Sequence, residues 1–132
     1  DVIRIGTSTV AAPLTLGRAR TLNQSGVLAF DGSVTIALAA TLTLERGVIL
    51  KWTGPHTLYV NGVLVCDGVP GEEVVFTSIR DDLYGGSSGG APAVAAPGDW
   101  RQILFSFTAP PSNLRHTRVR FAGEQDAAAL FL

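Results

Sequence analysis

Acidic side chains are the first candidates for chemistry in this chain, because enzymes that cleave glycosidic bonds work with paired carboxylates. The candidates are Glu72-Glu73, Asp81-Asp82 and Asp99, and Arg80 and Arg101 flank the segment that contains the last three of these carboxylates. Adjacent residues of a strand point to opposite faces, so neither pair converges on a substrate unless a loop bends it. A polysaccharide lyase or hydrolase therefore stays an alternative, and the sequence predicts no catalytic residue.

The histidines and the cysteine do not form a recognisable catalytic motif. Nucleophilic catalysis requires a nucleophile, a base and an orienting group that converge. His56 follows Gly54-Pro55 in a turn, and His116 alternates outward with Arg118 and Arg120, so we expect both rings to be solvated. Cys66 lies in an apolar run, where a lone cysteine is usually a small buried side chain. The sequence predicts neither an enzyme nor a cofactor.

Composition excludes several classes of protein. Of the 132 residues, 46% are hydrophobic and 16% are charged, and the net charge is −1. This balance argues against disorder, and it lacks the basic patch that a nucleic acid or a membrane surface attracts. The apolar runs are much shorter than the ~20 residues of a membrane helix. The single cysteine excludes an intramolecular disulfide, and the absence of methionine indicates a processed or excised chain.

The elements that must position these side chains are short strands. Runs rich in β-branched and aromatic residues are closed by glycine steps, and no window keeps an apolar stripe at helical spacing. The runs are 42–44, 48–52, 57–60, 63–66, 74–77 and 103–107. The chain is therefore predicted to be all-β.

Internal repeats favour a solenoid over a sandwich or barrel. Residues 26–32 (GVLAFDG) recur as residues 62–68 (GVLVCDG), and residues 47–52 open in the same way. Stacked coils explain such repeats, because each inward side chain lies on its counterpart one rung below. The competing interpretation is antiparallel, with Asn61-Gly62 as a two-residue hairpin turn.

The solenoid hypothesis assigns positions to glycines and to the core. Gly26, Gly47 and Gly62 are expected where a coil turns a corner in a left-handed or tightly bent conformation, although ordinary hairpin glycines stay the alternative. The residues expected to form stacked inward ladders are Leu28, Leu44, Ile49, Leu58, Val60, Leu64, Val75, Ile103 and Phe105.

The segments 42–52, 58–68 and 74–82 together resemble the parallel β-helix modules of bacterial surface and secreted proteins, which belong to the pectin-lyase-like superfamily. The resemblance covers about residues 40–132, and residues 1–39 match loosely as N-terminal rungs or a cap. It implies one domain over 1–132, a right-handed parallel β-helix of five or six rungs, and a secreted or cell-surface location. It implies no particular activity, because such modules occur in proteins of many functions.

Residues 79–98 are predicted to be a Gly/Ser/Ala/Pro-rich surface loop that leaves one corner of the coil and returns at Trp100, which packs over its base. In the modules that the chain resembles, this insertion is often acidic with a calcium-ligating pattern. Here only Asp81, Asp82 and Asp99 offer hard oxygen ligands, whereas calcium takes six to eight oxygens. The sequence therefore predicts no metal site.

The predicted function is a non-catalytic structural module that assembles end to end into a filament or continues into further rungs. A terminal coil without a cap exposes an apolar face and unpaired backbone groups. The residues predicted to form this interface are Val2, Ile3, Ile5, Ala129, Leu130, Phe131 and Leu132.

Two alternatives stay open. An extracellular polysaccharide is the alternative partner, and its predicted contacts are Arg80, Arg101, Tyr84 and Trp52. The aromatic rings are expected to be exposed for stacking on sugars, and internal packing of the same rings stays the alternative. The third hypothesis is an adhesin fragment that presents the loop 79–98 to a host partner.

Overall fold

The computed structural model of the chain describes residues 3–17, 26–86, 94–123 and 130–131. Within these residues the regular structure is entirely β, and no helix has the length and apolarity that a membrane span requires. The strands, in chain order, are β1 (Ile3–Ile5), β2 (Ser8–Val10), β3 (Leu14–Leu16), β4 (Val27–Phe30), β5 (Val34–Ile36), β6 (Thr41–Glu45), β7 (Ile49–Trp52), β8 (Thr57–Val60), β9 (Val63–Asp67), β10 (Val74–Ser78), β11 (Gln102–Phe105), β12 (Asn113–Arg115), β13 (Thr117–Val119) and β14 (Leu130–Phe131).

The strands form three parallel sheets, which the chain visits in turn. The first sheet has the order β1-β4-β7-β10-β13, the second β2-β5-β8-β11-β14, and the third β3-β6-β9-β12. Strands β8 and β9, which Asn61-Gly62 connects, lie in different sheets, so the hairpin interpretation of this dipeptide is wrong. The predictions of an all-β chain and of stacked parallel strands are confirmed, and the architecture is solenoid-like.

The parallel register stacks apolar side chains in the interior. In the third sheet Leu42 pairs with Leu64, and Leu44 pairs with Cys66, and all four are buried. Burial of a leucine or isoleucine side chain contributes roughly 1.5–3 kcal/mol, so each ladder stabilises every rung that it crosses. The predicted core positions that are buried in this interior are Leu28, Leu44, Leu58, Val60, Leu64 and Ile103; Phe105 is partly buried and packs against them.

Aromatic rings form a second ladder along the inner face of the first sheet. Trp52 stacks on Phe30 with ring centroids 5.2 Å apart and on Phe76 at 6.1 Å. Trp100 stacks on Trp52 at 4.6 Å and 10°, and its Nε1 donates to the Arg120 carbonyl at 2.7 Å. Trp100 thus lies in the core, and not over the base of a surface loop as expected.

The predicted phase of the first sheet was wrong at two positions. Leu50 and Phe76 belong to the interior, whereas Ile49 is only partly buried and Val75, although buried, lies on the outer face with Val27. The alternation misleads because both faces of this sheet carry apolar residues, as is usual when both faces are covered.

Corner glycines act in two different ways. Gly26 and Gly47 have φ angles of 80° and 78°, which confirms the left-handed conformation expected at these corners. Gly62 is not left-handed; instead, a Cβ atom at this position would overlap the carbonyl oxygens of Ala37 and Ala40. Its role is therefore close backbone approach.

Candidate functional site

The first part of the insertion folds back over the outer face of the first sheet. Residues 81–86, which we call the strap, are held by Lys51, whose Nζ donates to the carbonyl oxygens of Asp81 at 2.8 Å and Gly86 at 2.9 Å. A Cβ on Gly85 would overlap the Val27 side chain, so the strap reaches across three neighbouring strands. Residues 82, 83, 85 and 86 are exposed, so this part of the predicted surface loop 79–98 lies at the surface while it stays anchored to the coil. Residues 87–93 lie outside the described residues.

Asp81 is the centre of a buried polar cluster beneath the strap. Its Oδ2 accepts hydrogen bonds from Thr77 Oγ1 at 2.6 Å and Arg120 Nε at 2.9 Å, and its Oδ1 accepts one from the Leu83 amide at 3.2 Å. Lys51 and Thr77 are fully buried, and Asp81 is 4% exposed. The cluster thus joins strands β7 and β10, the strap and the segment after β13.

Burial and pairing shift the pKa values of this cluster. Burial lowers the pKa of Lys51, and the nearby charges of Asp81 and Asp82 oppose this effect only in part. Burial by itself would raise the pKa of Asp81, but the hydrogen bonds from Thr77 and Arg120 outweigh it, so the pKa lies below its ordinary value. Asp81 is therefore an anion in an ion pair and is unsuited to donate a proton at neutral pH.

The three calcium candidates do not share a site. Asp99 Oδ2 accepts from Ser78 Oγ at 2.7 Å and from the Ala96 amide at 3.1 Å, and its Oδ1 lies 3.6 Å from Arg80 Nη1. Asp81 accepts the three hydrogen bonds described above, and Asp82 is exposed. Among the described residues no three His, Cys, Asp or Glu side chains are grouped so that they could hold a metal ion.

A shallow cleft of about 270 Å³ lies between the strap and the corners that precede β7 and β10. Its floor contains Ile49 and Val75, and Tyr84, Glu72 and Glu73 line its walls. Glu72 Oε2 lies 3.8 Å from Arg46 Nε. The Gly71 amide donates to Glu73 Oε2 at 3.0 Å and lowers the pKa of Glu73, with smaller contributions from the charges of Arg118 and His116.

Of the predicted glycan contacts, one is excluded by burial. Trp52 is 1% exposed and stacks in the core, so the expectation of an exposed ring is wrong. Arg80 and Arg101 are exposed, and Tyr84 is half-buried with the Arg120 guanidinium 5.0 Å from its ring centroid. Glycan binding by these three residues stays a prediction.

The histidines and the cysteine lie apart from this cluster. The His56 carbonyl accepts from the Arg101 amide, and exposed His116 forms a corner with a φ angle of 44°. Cys66 is buried as expected, and burial raises the pKa of its thiol to about 12. Lys51, Thr77 and Arg120 were not among the predicted site residues. One available signal was that Lys51 is the sole lysine of the sequence and lies in an apolar strand.

The N-terminal end of the coil opens into an apolar cavity of about 400 Å³. Of the strands in the described part of the chain, β1, β2 and β3 are the outermost of their sheets. Ile5, Val10, Leu14 and Leu16 line the opening together with Phe30 and Leu42. Of the predicted interface residues, Ile5 thus lies at this end, and Ile3, Leu130 and Phe131 belong to terminal strands β1 and β14. Val2, Ala129 and Leu132 lie outside the described residues.

No protein-family model matches the chain, and neither a curated protein nor a solved structure matches it.

Proposed function

We propose that the chain is a non-catalytic structural module, a right-handed parallel β-helix of five or six rungs whose column continues across its end faces. The single observation that carries this proposal is the open apolar end at β1, β2 and β3. A right-handed coil is the hand expected for parallel strands joined by crossovers. The resemblance to pectin-lyase-like modules adds a secreted or cell-surface location in a bacterium.

Strand polarity explains why another coil is the natural cover for this end. Strands β1, β2 and β3 each run parallel to the one strand with which they pair among the described residues, so a further rung extends each ladder on its other edge. The same rung covers the apolar cavity. A second copy stacked head to tail supplies such a rung, and because this contact is heterologous it repeats into a filament. A preceding segment of a longer polypeptide supplies one equally well.

The test of assembly between copies is electron microscopy and sedimentation over a range of protein concentrations. We expect growth with concentration, and we expect Leu14→Glu to abolish filament growth because it places a charge in the cavity opening. Leu83→Glu is the matched control, since Leu83 is 74% exposed on the strap. A wild-type chain that sediments as a monomer at every concentration contradicts assembly between copies.

The cleft beside Tyr84 favours a second candidate function, carbohydrate binding or cleavage. It combines an aromatic ring, two carboxylates and an apolar floor, which is the chemistry that packs and hydrogen-bonds a sugar ring. The test is binding and cleavage of neutral and acidic polysaccharides, with and without calcium. Wild-type binding that Tyr84→Ala removes supports this function, and the absence of wild-type binding contradicts it.

A further inference from the structure

Charged residues are confined to one part of every turn of the coil. The four segments 8–16, 34–44, 57–66 and 102–114 contain no Asp, Glu, Lys, Arg or His. Each segment runs from the first residue of a second-sheet strand to the inner leucine or cysteine near the end of the following third-sheet strand. We call the surface of these segments the charge-free side. It recurs in register on successive strands, so it is a property of the coil and not of one loop.

The outer residues of the charge-free side form uncharged rows. In the second sheet Thr9, Thr35, Tyr59 and Leu104 are in register, and Tyr59 is 39% exposed. In the third sheet the corresponding row is Thr15, Thr43, Val65 and Asn113. Successive members of a row are spaced by about 4.8 Å, the distance between neighbouring strands. The result is a surface of hydroxyl, methyl and aromatic groups with a strict repeat.

Exposed apolar residues lie along the corner that joins these two sheets. Leu38 is 66% exposed in the connection from β5 to β6, and Phe107 is fully exposed in the connection from β11 to β12. The other exposed residues of these corners are Ala11, Ala12, Pro13, Ala39, Asn61, Thr108, Pro110 and Pro111. An apolar surface that spans several turns is typical of an interaction site.

We propose that the charge-free side is a lateral interface that pairs the column with a second copy of itself. Two such surfaces carry no like charges that would repel each other, and their rows share one spacing, so the side chains of two copies interdigitate in register. Nucleic acid and anionic lipid require basic residues, which these segments lack. Phe107 is the side chain best suited to anchor the contact, because exposed aromatic residues dominate binding at interfaces.

The size of the surface sets the strength that we expect. Four strands at about 4.8 Å and two sheets about 25 Å wide in total give an upper limit of roughly 500 Å² per copy, because the two sheets meet at a corner and one partner covers only part of both. A stable interface buries about 800 Å² per partner, so pairing between single modules is weak. The area grows in proportion to the number of turns, so a longer column pairs more tightly. The first segment, 8–16, also lines the end cavity, but Leu38 and Phe107 do not. A lateral contact anchored by Leu38 and Phe107 therefore does not depend on the proposed end-to-end growth.

The test compares two leucines of similar exposure on opposite sides of the column. Leu38→Glu places a charge on the charge-free side, whereas Leu83→Glu places one on the strap; Leu38 is 66% exposed and Leu83 74%. In sedimentation equilibrium of the full chain we expect Leu38→Glu, alone and with Phe107→Glu, to weaken lateral pairing at least tenfold. Leu83→Glu is expected to leave pairing unchanged, and circular dichroism verifies that each variant is folded.

Further measurements distinguish lateral pairing from end-to-end contact and from binding to lipid. Leu14→Glu, which blocks the end face, is expected to stop lengthwise growth and to retain pairs. Lateral pairing is expected to be insensitive to sodium chloride and strengthened by sulfate, as for uncharged surfaces. Equal weakening by Leu38→Glu and Leu83→Glu overturns the proposal. A wild-type chain that shows no side-by-side pairs at the highest concentration measured also overturns it, and flotation of that chain with phosphatidylcholine vesicles would assign the charge-free side to a lipid surface.

Discussion

The outer face of the first sheet and the charge-free side are both built from parallel strands in register, but within the described residues the chain covers only the first of these two surfaces with a segment of its own. Outward residues of the first sheet include Val27, Ile49 and Val75, and the strap lies across this face with buried polar anchors. Outward residues of the charge-free side are mainly threonines and other uncharged groups, and no described segment crosses them in the same way. The strap thus covers the outer face of the first sheet, and we propose that a second copy of the chain covers the charge-free side.

Backbone conformation follows the same division. Among the described residues, all those with left-handed φ angles lie outside the charge-free side: Gly26, Gly47, Gly71, Gly85, Gly86, Gly98, Gly123, His116 and Phe121. Charged side chains and left-handed backbone therefore share one part of each turn. The coil concentrates these irregular features there and keeps a regular backbone on the charge-free side.

The largest effect is expected when the anchor of the strap is removed. Asp81→Ala deprives Thr77 Oγ1, Arg120 Nε and the Leu83 amide of their acceptor. It also removes one of the two nearby anionic charges, those of Asp81 and Asp82, that act on Lys51. Loss of one partner from a buried ion pair costs about 3–5 kcal/mol, and because the Arg120 side chain is 30% exposed we expect about 2–3 kcal/mol. The free energy of unfolding from urea titration measures this loss.

The adjacent residue provides the control for the strap. Asp82 is exposed, so Asp82→Ala is expected to change the free energy of unfolding by less than about 0.5 kcal/mol. The pH dependence provides a second check, because a depressed carboxyl pKa stabilises the fold above about pH 4 and this stability disappears as the pH falls through the folded pKa. Asp81→Ala should lose that acid sensitivity. Equal effects of the two substitutions would contradict the division between anchored and bare faces.

An intermediate effect is expected in alkali, where the two regions respond with opposite signs. Lys51 beneath the strap has a lowered pKa, so between that value and about 10.4 the unfolded chain holds the extra proton and stability rises with pH. Cys66, inside the third sheet, has a pKa raised to about 12, so above about pH 9 the unfolded thiol ionises first and stability falls. Each slope reaches at most about 1.4 kcal/mol per pH unit.

Single substitutions separate these two slopes. Lys51→Met removes the rise, so as the pH increases towards about 10.4 its free energy of unfolding should fall relative to that of the wild type. Cys66→Ala removes the fall, so above about pH 9 its free energy of unfolding should rise relative to that of the wild type. The measurement is urea unfolding in a series of buffers, with each variant compared against its own value at pH 8. Parallel profiles for all three proteins would show that neither group titrates differently on folding.

The inward residues could be predicted from the sequence where only one face of a sheet is apolar, and not where both faces are. Leu44 and Leu64 follow a strict alternation in the third sheet, and the repeat that contains Leu64 indicated stacked coils. In the first sheet Ile49, Leu50, Lys51 and Trp52 all carry apolar stems, so alternation cannot show which residues point inward. The phase there depends on the strap, which covers the outer face from a distant part of the sequence.

The candidate site was less predictable because its contacts join residues that are far apart in sequence. Asp81 was singled out as an oxygen ligand, but its partners Lys51 and Arg120 lie 30 and 39 residues away. No local spacing encodes those pairs, and only the order of strands in the first sheet brings them together. For the same reason the sequence predicted an exposed glycan contact at Trp52, because no nearby residue indicates that Trp100 covers its ring.

The smallest effect tests the backbone difference at a single corner. His116 connects β12 to β13 with a φ angle of 44°, in a corner where the corresponding connection from β6 to β7 uses Gly47 at 78°. The left-handed conformation costs a residue with a Cβ about 1–2 kcal/mol, and glycine avoids this cost. Glycine also increases the conformational entropy of the unfolded chain, which offsets part of the gain in stability. His116→Gly should therefore raise the free energy of unfolding by about 0.5–1 kcal/mol. His116→Ala removes the same ring but keeps the Cβ, so it should not raise the free energy of unfolding. An equal increase for both variants would assign the effect to loss of the exposed imidazole and not to the left-handed backbone at this corner.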